Sequence, residues 1–338
     1  MPIPHSHTVE AFELWAKQIA SDTGFVLGEK MYQGTYYTAE YIRDVIYAGT
    51  WEGMPAVLKL YNDPRLSDEP LSLESFHQNN QSDLLLAPKL YRFHKDTPKR
   101  GWLIMEKLPQ DGSFFRSPLS QSEKIAFMDL YMEYRQYFPK LPTRPLTLAE
   151  KLPSVEYHRT RIAQWFCLAN EKEEERRGKQ QDVLLLEEEF LPRYLQIMDR
   201  ISKEFVDRKM IWCHGHFKPQ ELYRTNVGTV YLTDFAHTKM YPEGYELAFI
   251  VWADRLMAAD WCASYDEWKA GIDEWTEIFR AHQRLLGFEA FDRLWRASLL
   301  ERSIGTVLAD ITASDKPREE QEGRIAHLYR LIDDLLNE

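Results

Sequence analysis

The first part of the chain carries two successive patterns of apolar positions. Between Val9 and Ala20 the apolar side chains recur three and four residues apart, which predicts an amphipathic helix. From Phe25 to Tyr61, aromatic and β-branched residues are punctuated by glycines, which is typical of strands. Two apolar runs flank Glu52 and Gly53 and predict a β-hairpin that turns at these residues.

The remainder of the chain is mostly helical in pattern. A helix is predicted from Leu71 to Leu86, and two strands from Ala87 to Phe93 and from Gly101 to Leu108. From Ser120 onward most apolar residues recur at helical spacing, apart from a short apolar run at Ile211. The pattern predicts an α+β fold with a sheet in the amino-terminal part and helices in the carboxy-terminal part.

The composition is that of a folded protein with an acidic surface. The 338 residues include 44% apolar side chains, enough for a substantial core. A net charge of −11 argues against a nucleic-acid partner, because affinity for a polyanion rests mainly on Lys and Arg contacts to phosphates. No run reaches the roughly 18 apolar residues of a membrane span, so we expect no membrane partner.

The cysteines, Cys167, Cys213 and Cys262, lie far apart and form no CxxC pair. Their spacing predicts neither a zinc ribbon nor a disulfide framework. The amino-terminal stretch has no basic region followed by an apolar run, so it lacks the pattern of a secretory signal. We therefore expect a cytoplasmic protein.

One stretch, from Ile211 to Phe235, has the layout of a phosphotransferase catalytic loop, and it reads IWCHGHFKPQELYRTNVGTVYLTDF. Such loops contain His-x-Asp, an Asn five residues after the Asp, and a hairpin that ends in a second Asp. The first Asp orients or deprotonates the attacking hydroxyl, and the Asn and the second Asp hold magnesium. Here Asp234 matches the second Asp, whereas His216 replaces the first Asp and Glu221 replaces the Asn.

These residues resemble the protein-kinase-like superfamily, most closely its aminoglycoside phosphotransferase and choline kinase branch, whose loop begins His-Gly-Asp and ends in Asn. The segment HFKPQEL is also similar to DLKPQNL of protein kinases, so that Lys218 matches a lysine that touches the transferred phosphate. The resemblance implies a two-lobed fold, with a small lobe of antiparallel sheet and helix over residues 1–106 and a large helical lobe over residues 107–338. It also implies ATP and magnesium as cofactors and a small molecule as acceptor.

Several residues outside the loop take roles from the same resemblance. Lys59 lies late on a predicted strand, as the phosphate-positioning lysine does, although alternation alone would also place a polar residue there. Glu74 is expected to be the helix carboxylate that pairs with Lys59, or else to favour the helix dipole. Backbone groups near Met105 and Lys107 would hydrogen-bond an adenine. Glu246 matches an acid that braces the catalytic loop, or is a solvated carboxylate at a helix start.

Three hypotheses follow from the altered loop. In the first, the protein is an ATP- and magnesium-dependent phosphotransferase, because a neutral imidazole accepts a proton near pH 7 and Glu221 keeps an oxygen ligand for the metal. Its functional residues would be His216 as base, Lys59 and Lys218 on phosphates, and Glu221 and Asp234 on magnesium.

The second hypothesis is a pseudokinase, which has the same fold but acts as a nucleotide-binding or regulatory module without phosphotransfer. The third is a transition-metal site built from His214, His216 and Asp234, because two imidazoles and a carboxylate suit such ions. The sequence does not identify the phosphate acceptor.

Overall fold

A computed structural model of the protein describes residues 7–35 and 41–338 and has an α+β fold. In chain order the helices are α1 (Val9–Thr23), α2 (Glu69–Asn79), α3 (Gln121–Tyr137), α4 (Ser154–Gly178), α5 (Glu187–Glu204), α6 (Tyr245–Val251), α7 (Tyr265–Leu286), α8 (Phe291–Gly305) and α9 (Arg318–Asn337). The strands are β1 (Val26–Thr35), β2 (Ile42–Trp51), β3 (Met54–Asn62), β4 (Leu85–Leu86), β5 (Leu90–Thr97), β6 (Arg100–Glu106), β7 (Gly112–Phe114), β8 (Met210–Cys213), β9 (Leu222–Thr225), β10 (Val230–Leu232) and β11 (Lys239–Pro242). The predicted division into a sheet-containing amino-terminal part and a largely helical carboxy-terminal part is confirmed.

The main sheet is antiparallel, with the strand order β1-β2-β3-β6-β5. The predicted hairpin is confirmed, since Trp51 pairs with Met54 and the two intervening residues form the turn. Glu52 and Gly53 both have positive φ angles, of 51° and 79°. Two successive positive φ angles match the twist of the flanking strands, which is why a glycine stands at this turn.

Helix α1 covers one face of this sheet. The Thr8 side chain caps the helix by accepting a hydrogen bond from the Ala11 backbone N–H. The apolar face of α1 packs against inward-facing residues of β2, β3 and β6. Because side chains alternate along a strand, Leu58 and Leu60 of β3 join this core while Lys59 points to the opposite face. The lysine is thereby placed on the face of the sheet that α1 leaves uncovered.

The chain divides into two compact units, and each unit is built from three separate segments of the chain. The first unit runs up to Phe114 and includes Tyr134–Arg144 and Glu221–Thr238. The second consists of Phe115–Glu133, Pro145–Gln220 and Lys239–Glu338. The segment Ile211–Phe235 is therefore shared between the units. The predicted lobe boundary between residues 106 and 107 remains a prediction.

The helix predicted from Leu71 to Leu86 is shorter and begins earlier than expected. Helix α2 ends at Asn79, and Leu85 and Leu86 form β4, which pairs with β10. Asn80 ends the helix because its side chain donates to the Leu85 carbonyl and accepts from the Ser82 N–H. Such local side-chain bonds compete with helical ones, so the apolar run after Asn80 joins a sheet instead.

The second unit is built from helices around an aromatic core, together with the paired strands β8 and β11. Phe127 of α3 contacts Phe217 and Trp275, with ring centroids 5.3 and 5.7 Å apart. Edge-to-face contacts of this kind fix the loop that carries Phe217. Among the helices of the described residues, none combines the length and the apolar character needed to cross a bilayer.

Candidate functional site

A buried ion pair lies on the face of the main sheet opposite α1. Lys59 of β3 is 5% exposed, and its Nζ donates to Oε2 of Glu69 at 2.6 Å. Glu69 is the first residue of α2 and is 3% exposed. A pair this deeply buried fixes the direction in which the Lys59 ammonium points.

Glu69, rather than the predicted Glu74, is therefore the helix carboxylate that pairs with Lys59. The buried residues of α2 include Glu69, Ser72, Leu73 and Phe76, which follow the three- and four-residue spacing of one helical face. Glu74 lies off that face and is exposed. The error came from starting the helix at Leu71, which hid Glu69 in the preceding loop.

Two further carboxylates act on Lys59. Burial alone would lower the pKa of its ammonium, but the carboxylates of Glu69, Asp44 and Asp234 outweigh that effect and raise the pKa. Burial is the largest influence on Glu69 and raises the pKa of its carboxyl, against the attraction of Lys59. The first unit thus gathers one buried ammonium and three carboxylates.

Asp234 precedes a short turn of helix, Phe235–His237, and is itself in the left-handed region at φ 57° and ψ 58°. Asp is among the few side chains that adopt this conformation, and such outliers concentrate at functional sites. Phe235 is buried against Phe76 of α2, with ring centroids 5.2 Å apart. His237 Nε2 lies 3.6 Å from Asp234 Oδ2. These contacts hold a partly exposed carboxylate at the end of the hairpin.

Glu221 lies at the same open end of this hairpin, immediately before β9, which pairs with β10. The Thr233 hydroxyl donates to the Glu221 carboxylate at 3.0 Å, and the Thr233 N–H donates to its carbonyl. Since Thr233 precedes Asp234, the hairpin brings two carboxyl-bearing residues to one end. Carboxylate oxygens are the ligands that magnesium prefers, so this donor set fits the metal that the resemblance implies.

The first half of the loop belongs to the second unit and follows β8. Gly215 has φ 80°, and a Cβ there would lie 2.3 Å from the Tyr241 ring, so the position requires glycine. The Gly215 N–H donates to Oε1 of Glu246, whose Oε2 accepts from the Tyr131 hydroxyl. Glu246 is 3% exposed. The prediction that Glu246 braces this loop is confirmed.

His216 and Lys218 follow on the partly exposed side of the loop. The His216 N–H donates to Nδ1 of the fully buried His214 at 3.3 Å. The His216 ring stacks on Phe249, with centroids 4.6 Å apart and an 18° interplanar angle. The Lys218 ammonium lies 5.9 Å from the ring centroids of Phe249 and Trp252, within the range of a cation–π contact.

The segment expected to bind adenine is part of the main sheet. Met105 pairs with both Val57 of β3 and Leu90 of β5. The Lys107 N–H donates to the Pro55 carbonyl, and the Glu106 N–H donates to the Lys89 carbonyl. Both of these N–H groups are engaged within the protein, and an adenine contact near Met105 and Lys107 stays a prediction.

Comparison of the structure with solved structures identifies the fold. Over 95% of its length the chain superposes on 97% of a thermostable mutant of aminoglycoside phosphotransferase APH(4)-Ia, solved as a ternary complex with ADP and hygromycin B, with a TM-score of 0.58 and 12% identity. The chain has the fold of the aminoglycoside phosphotransferases. The alignment with the Plasmodium vivax ethanolamine kinase includes 96% of this chain and 91% of the kinase, with a TM-score of 0.52 and 13% identity. For choline kinase LicA from Streptococcus pneumoniae the coverages are 97% and 99%, with a TM-score of 0.51 and 12% identity.

The likeness is confined to the fold. No protein-family model matches the sequence, and none of the curated proteins is similar to it in sequence. The expected resemblance to the aminoglycoside phosphotransferase and choline kinase branch is confirmed at the level of this phosphotransferase fold.

Within the phosphotransferase fold, sequence reasoning missed Glu69 and Asp44. A signal for Glu69 was present, because Asp68 and Pro70 are typical of the first positions of a helix. Had the helix been started there, the first carboxylate on its buried face would have been Glu69. Asp44 gave no comparable signal, since an acidic residue on a strand is usually solvated.

Proposed function

We propose that the protein is an ATP- and magnesium-dependent phosphotransferase that acts on a hydroxyl group of a small molecule. The observation that carries the proposal is the buried ion pair in the first unit, where Lys59 Nζ lies 2.6 Å from Glu69 Oε2 and the Asp234 carboxylate adds to the attraction that raises the pKa of the ammonium. An ammonium held by a helix carboxylate, together with an acid that follows a hairpin, is the arrangement with which protein kinases position a nucleotide and its metal. The fold agrees, since APH(4)-Ia has been solved with ADP.

Each part of this site has a proposed role. Lys59, positioned by Glu69, binds phosphate oxygens of the nucleotide, and Asp234 and Glu221 hold magnesium. The metal, when bound, neutralises the negative charge of the phosphates. Phosphoryl transfer asks the protein mainly for positioning and electrostatic stabilisation, which suits groups held as firmly as these.

His216 is the proposed general base. Its imidazole takes the proton of the acceptor hydroxyl while the hydroxyl oxygen attacks the terminal phosphorus of ATP, and the bond from that phosphorus to the bridging oxygen of ADP breaks. Lys218 contacts the transferred phosphate. General-base assistance contributes roughly a hundred- to ten-thousandfold in rate, so a substituted base lowers turnover without abolishing it.

The acceptor is a small molecule with a hydroxyl group, and the protein acts in the cytoplasm. Hygromycin B is the small molecule in the APH(4)-Ia complex, which supports this acceptor class but not that particular compound. None of the three cysteines, all of which lie within the described residues, forms a disulfide. Free thiols of this kind fit a reducing compartment.

The first experiment is a thermal-shift titration with ATP and magnesium. We expect the melting temperature to rise with ATP in the wild type, because a ligand that binds only the folded state stabilises it. Lys59→Ala and Asp234→Ala should reduce the rise. ATP turnover, screened with amines, sugars and nucleosides as acceptors, should fall in His216→Ala and in Asp234→Ala. An absence of any shift at saturating ATP would overturn the proposal.

A pseudokinase is the second candidate, and the loop itself favours it, since both His216 and Glu221 depart from the usual residues. His216→Asp separates the two functions. If the wild type binds ATP without turnover and His216→Asp gains turnover, the protein is a pseudokinase. His216→Asn is the matched control, because it has the size of Asp without a basic group. The His214 metal site is disfavoured, because His214 is fully buried and its Nδ1 accepts from the His216 N–H.

A further inference from the structure

A second acid lies beside Lys59 on the face of the main sheet opposite α1. Ile46 of β2 pairs with Lys59, and Asp44 pairs with Tyr61. Paired residues point to the same face, and Asp44 is two residues from Ile46, so Asp44 and Lys59 share a face. Asp44 is 7% exposed. Asp44 has no role in the phosphotransferase mechanism proposed above.

The position of the Asp44 carboxylate is built into the sheet. Asp44 also pairs with Gly34 of β1, so it lies between two neighbouring strands. A Cβ on Gly34 would lie 2.1 Å from Asp44 Oδ1, well inside any tolerated contact. The carboxylate therefore occupies the space that a side chain at position 34 would fill. Any side chain at position 34 would have to displace the Asp44 carboxylate, which glycine avoids.

The charges around Asp44 leave Lys59 as its main source of attraction. Four charged groups act on Asp44: Lys59 of β3, Arg43 of β2, Asp234 after β10 and Asp63 after β3. Tyr32 of β1 also lies nearby. Arg43 is bound to Asp63 at 2.8 Å, so part of its charge is already neutralised. Asp44 thus competes with Glu69 and Asp234 for the same ammonium.

We propose that Asp44 is a specificity-determining residue that competes with the phosphate chain of a nucleotide for Lys59 and weakens binding in proportion to the negative charge of the ligand. The inference rests on the proposed function, because it supposes that a nucleotide binds with its phosphates at Lys59. A fixed buried carboxylate repels an incoming phosphate, and the repulsion grows with the charge of the ligand. Adenosine, which has no phosphate, should not be affected.

The test compares the wild type with Asp44→Asn, which removes the charge and keeps the shape. Dissociation constants are measured by calorimetry for ATP, ADP and adenosine at fixed magnesium and ionic strength. We expect Asp44→Asn to bind ATP about tenfold more tightly, to gain less for ADP and to bind adenosine within about twofold of the wild type. Glu29→Gln is the matched control, because Glu29 is an exposed acid on β1 and its replacement changes the net charge equally.

Three results would overturn the inference alone: unchanged ATP affinity in Asp44→Asn, an equal gain for ATP and adenosine, or the same gain in Glu29→Gln. If neither the wild type nor Asp44→Asn binds any of the three ligands, the proposed function fails and the inference fails with it. Circular-dichroism melting curves establish that each variant is folded. Should Asp44→Asn not fold, Asp44→Ala takes its place, with the same order of gains expected.

Discussion

Replacing Glu69 by glutamine removes the closest counter-charge of a buried ammonium. Lys59 Nζ lies 2.6 Å from Glu69 Oε2, and the two side chains are only 7% and 4% exposed. Removing one partner of a buried ion pair costs about 3–5 kcal/mol, because the other charge remains buried and uncompensated. Asp44 and Asp234 still attract Lys59 in the variant, so we expect the lower end, about 3 kcal/mol of the free energy of unfolding.

Urea unfolding followed by tryptophan fluorescence measures this loss. Glu74→Gln is the control, since Glu74 lies on the exposed side of the same helix and should cost less than about 0.5 kcal/mol. Combining Lys59→Met with Glu69→Leu should recover much of the stability, because apolar replacement of both partners is often close to neutral. A loss below about 1 kcal/mol in Glu69→Gln, or an equal loss in Glu74→Gln, would refute the reasoning.

Two further predictions concern the second unit. Burial alone would raise the pKa of Glu301, but Arg161 and His158 outweigh it and lower the pKa from 4.5 to about 2. The resulting stabilisation is complete above pH 4.5 and is lost as the pH falls towards 2. Glu301→Gln should therefore lower the free energy of unfolding by about 3 kcal/mol at pH 7. In urea unfolding, the difference between this variant and the wild type should vanish near pH 2. Gly215→Ala should lower the melting temperature in differential scanning calorimetry, because it forces alanine to φ 80° and against the Tyr241 ring. An unchanged melting temperature would mean that the loop accommodates the methyl group.

The elements that the sequence predicted well are those whose pattern is local. The spacing of apolar residues over α1 and the turn at Glu52 and Gly53 each depend on neighbouring positions, and both were confirmed. Glu246 was identified because it matches an acid that follows the metal-binding Asp in the family that the sequence resembles, and its bond to the Gly215 N–H agrees with that role. The partner of Lys59 was missed because it depends on where α2 begins, and a start two residues later leaves Glu69 outside the helix and Glu74 as the first carboxylate within it.

Asp44 could not be assigned from the sequence for a different physical reason. A shift of one residue in strand register turns every side chain to the other face, so an acid within a strand is either solvated or buried according to the pairing. Only the pairing of Asp44 with Tyr61 and Gly34 places it beside Lys59. The aromatic and β-branched residues around it indicate a strand but do not fix its register.

The altered residue at position 216 also bears on how its variants are interpreted. The His216 ring stacks on Phe249, a contact that the shorter Asp cannot make. Aromatic pairs of this kind contribute about 0.5–1.5 kcal/mol, so His216→Asp should lose stability even while it regains the usual acid of the loop. Any gain in turnover measured for the less stable His216→Asp variant would therefore be a lower bound on the rate increase that the Asp carboxylate provides over His. His216→Asn loses the same contact, so the ratio of turnover between His216→Asp and His216→Asn isolates the contribution of the carboxylate.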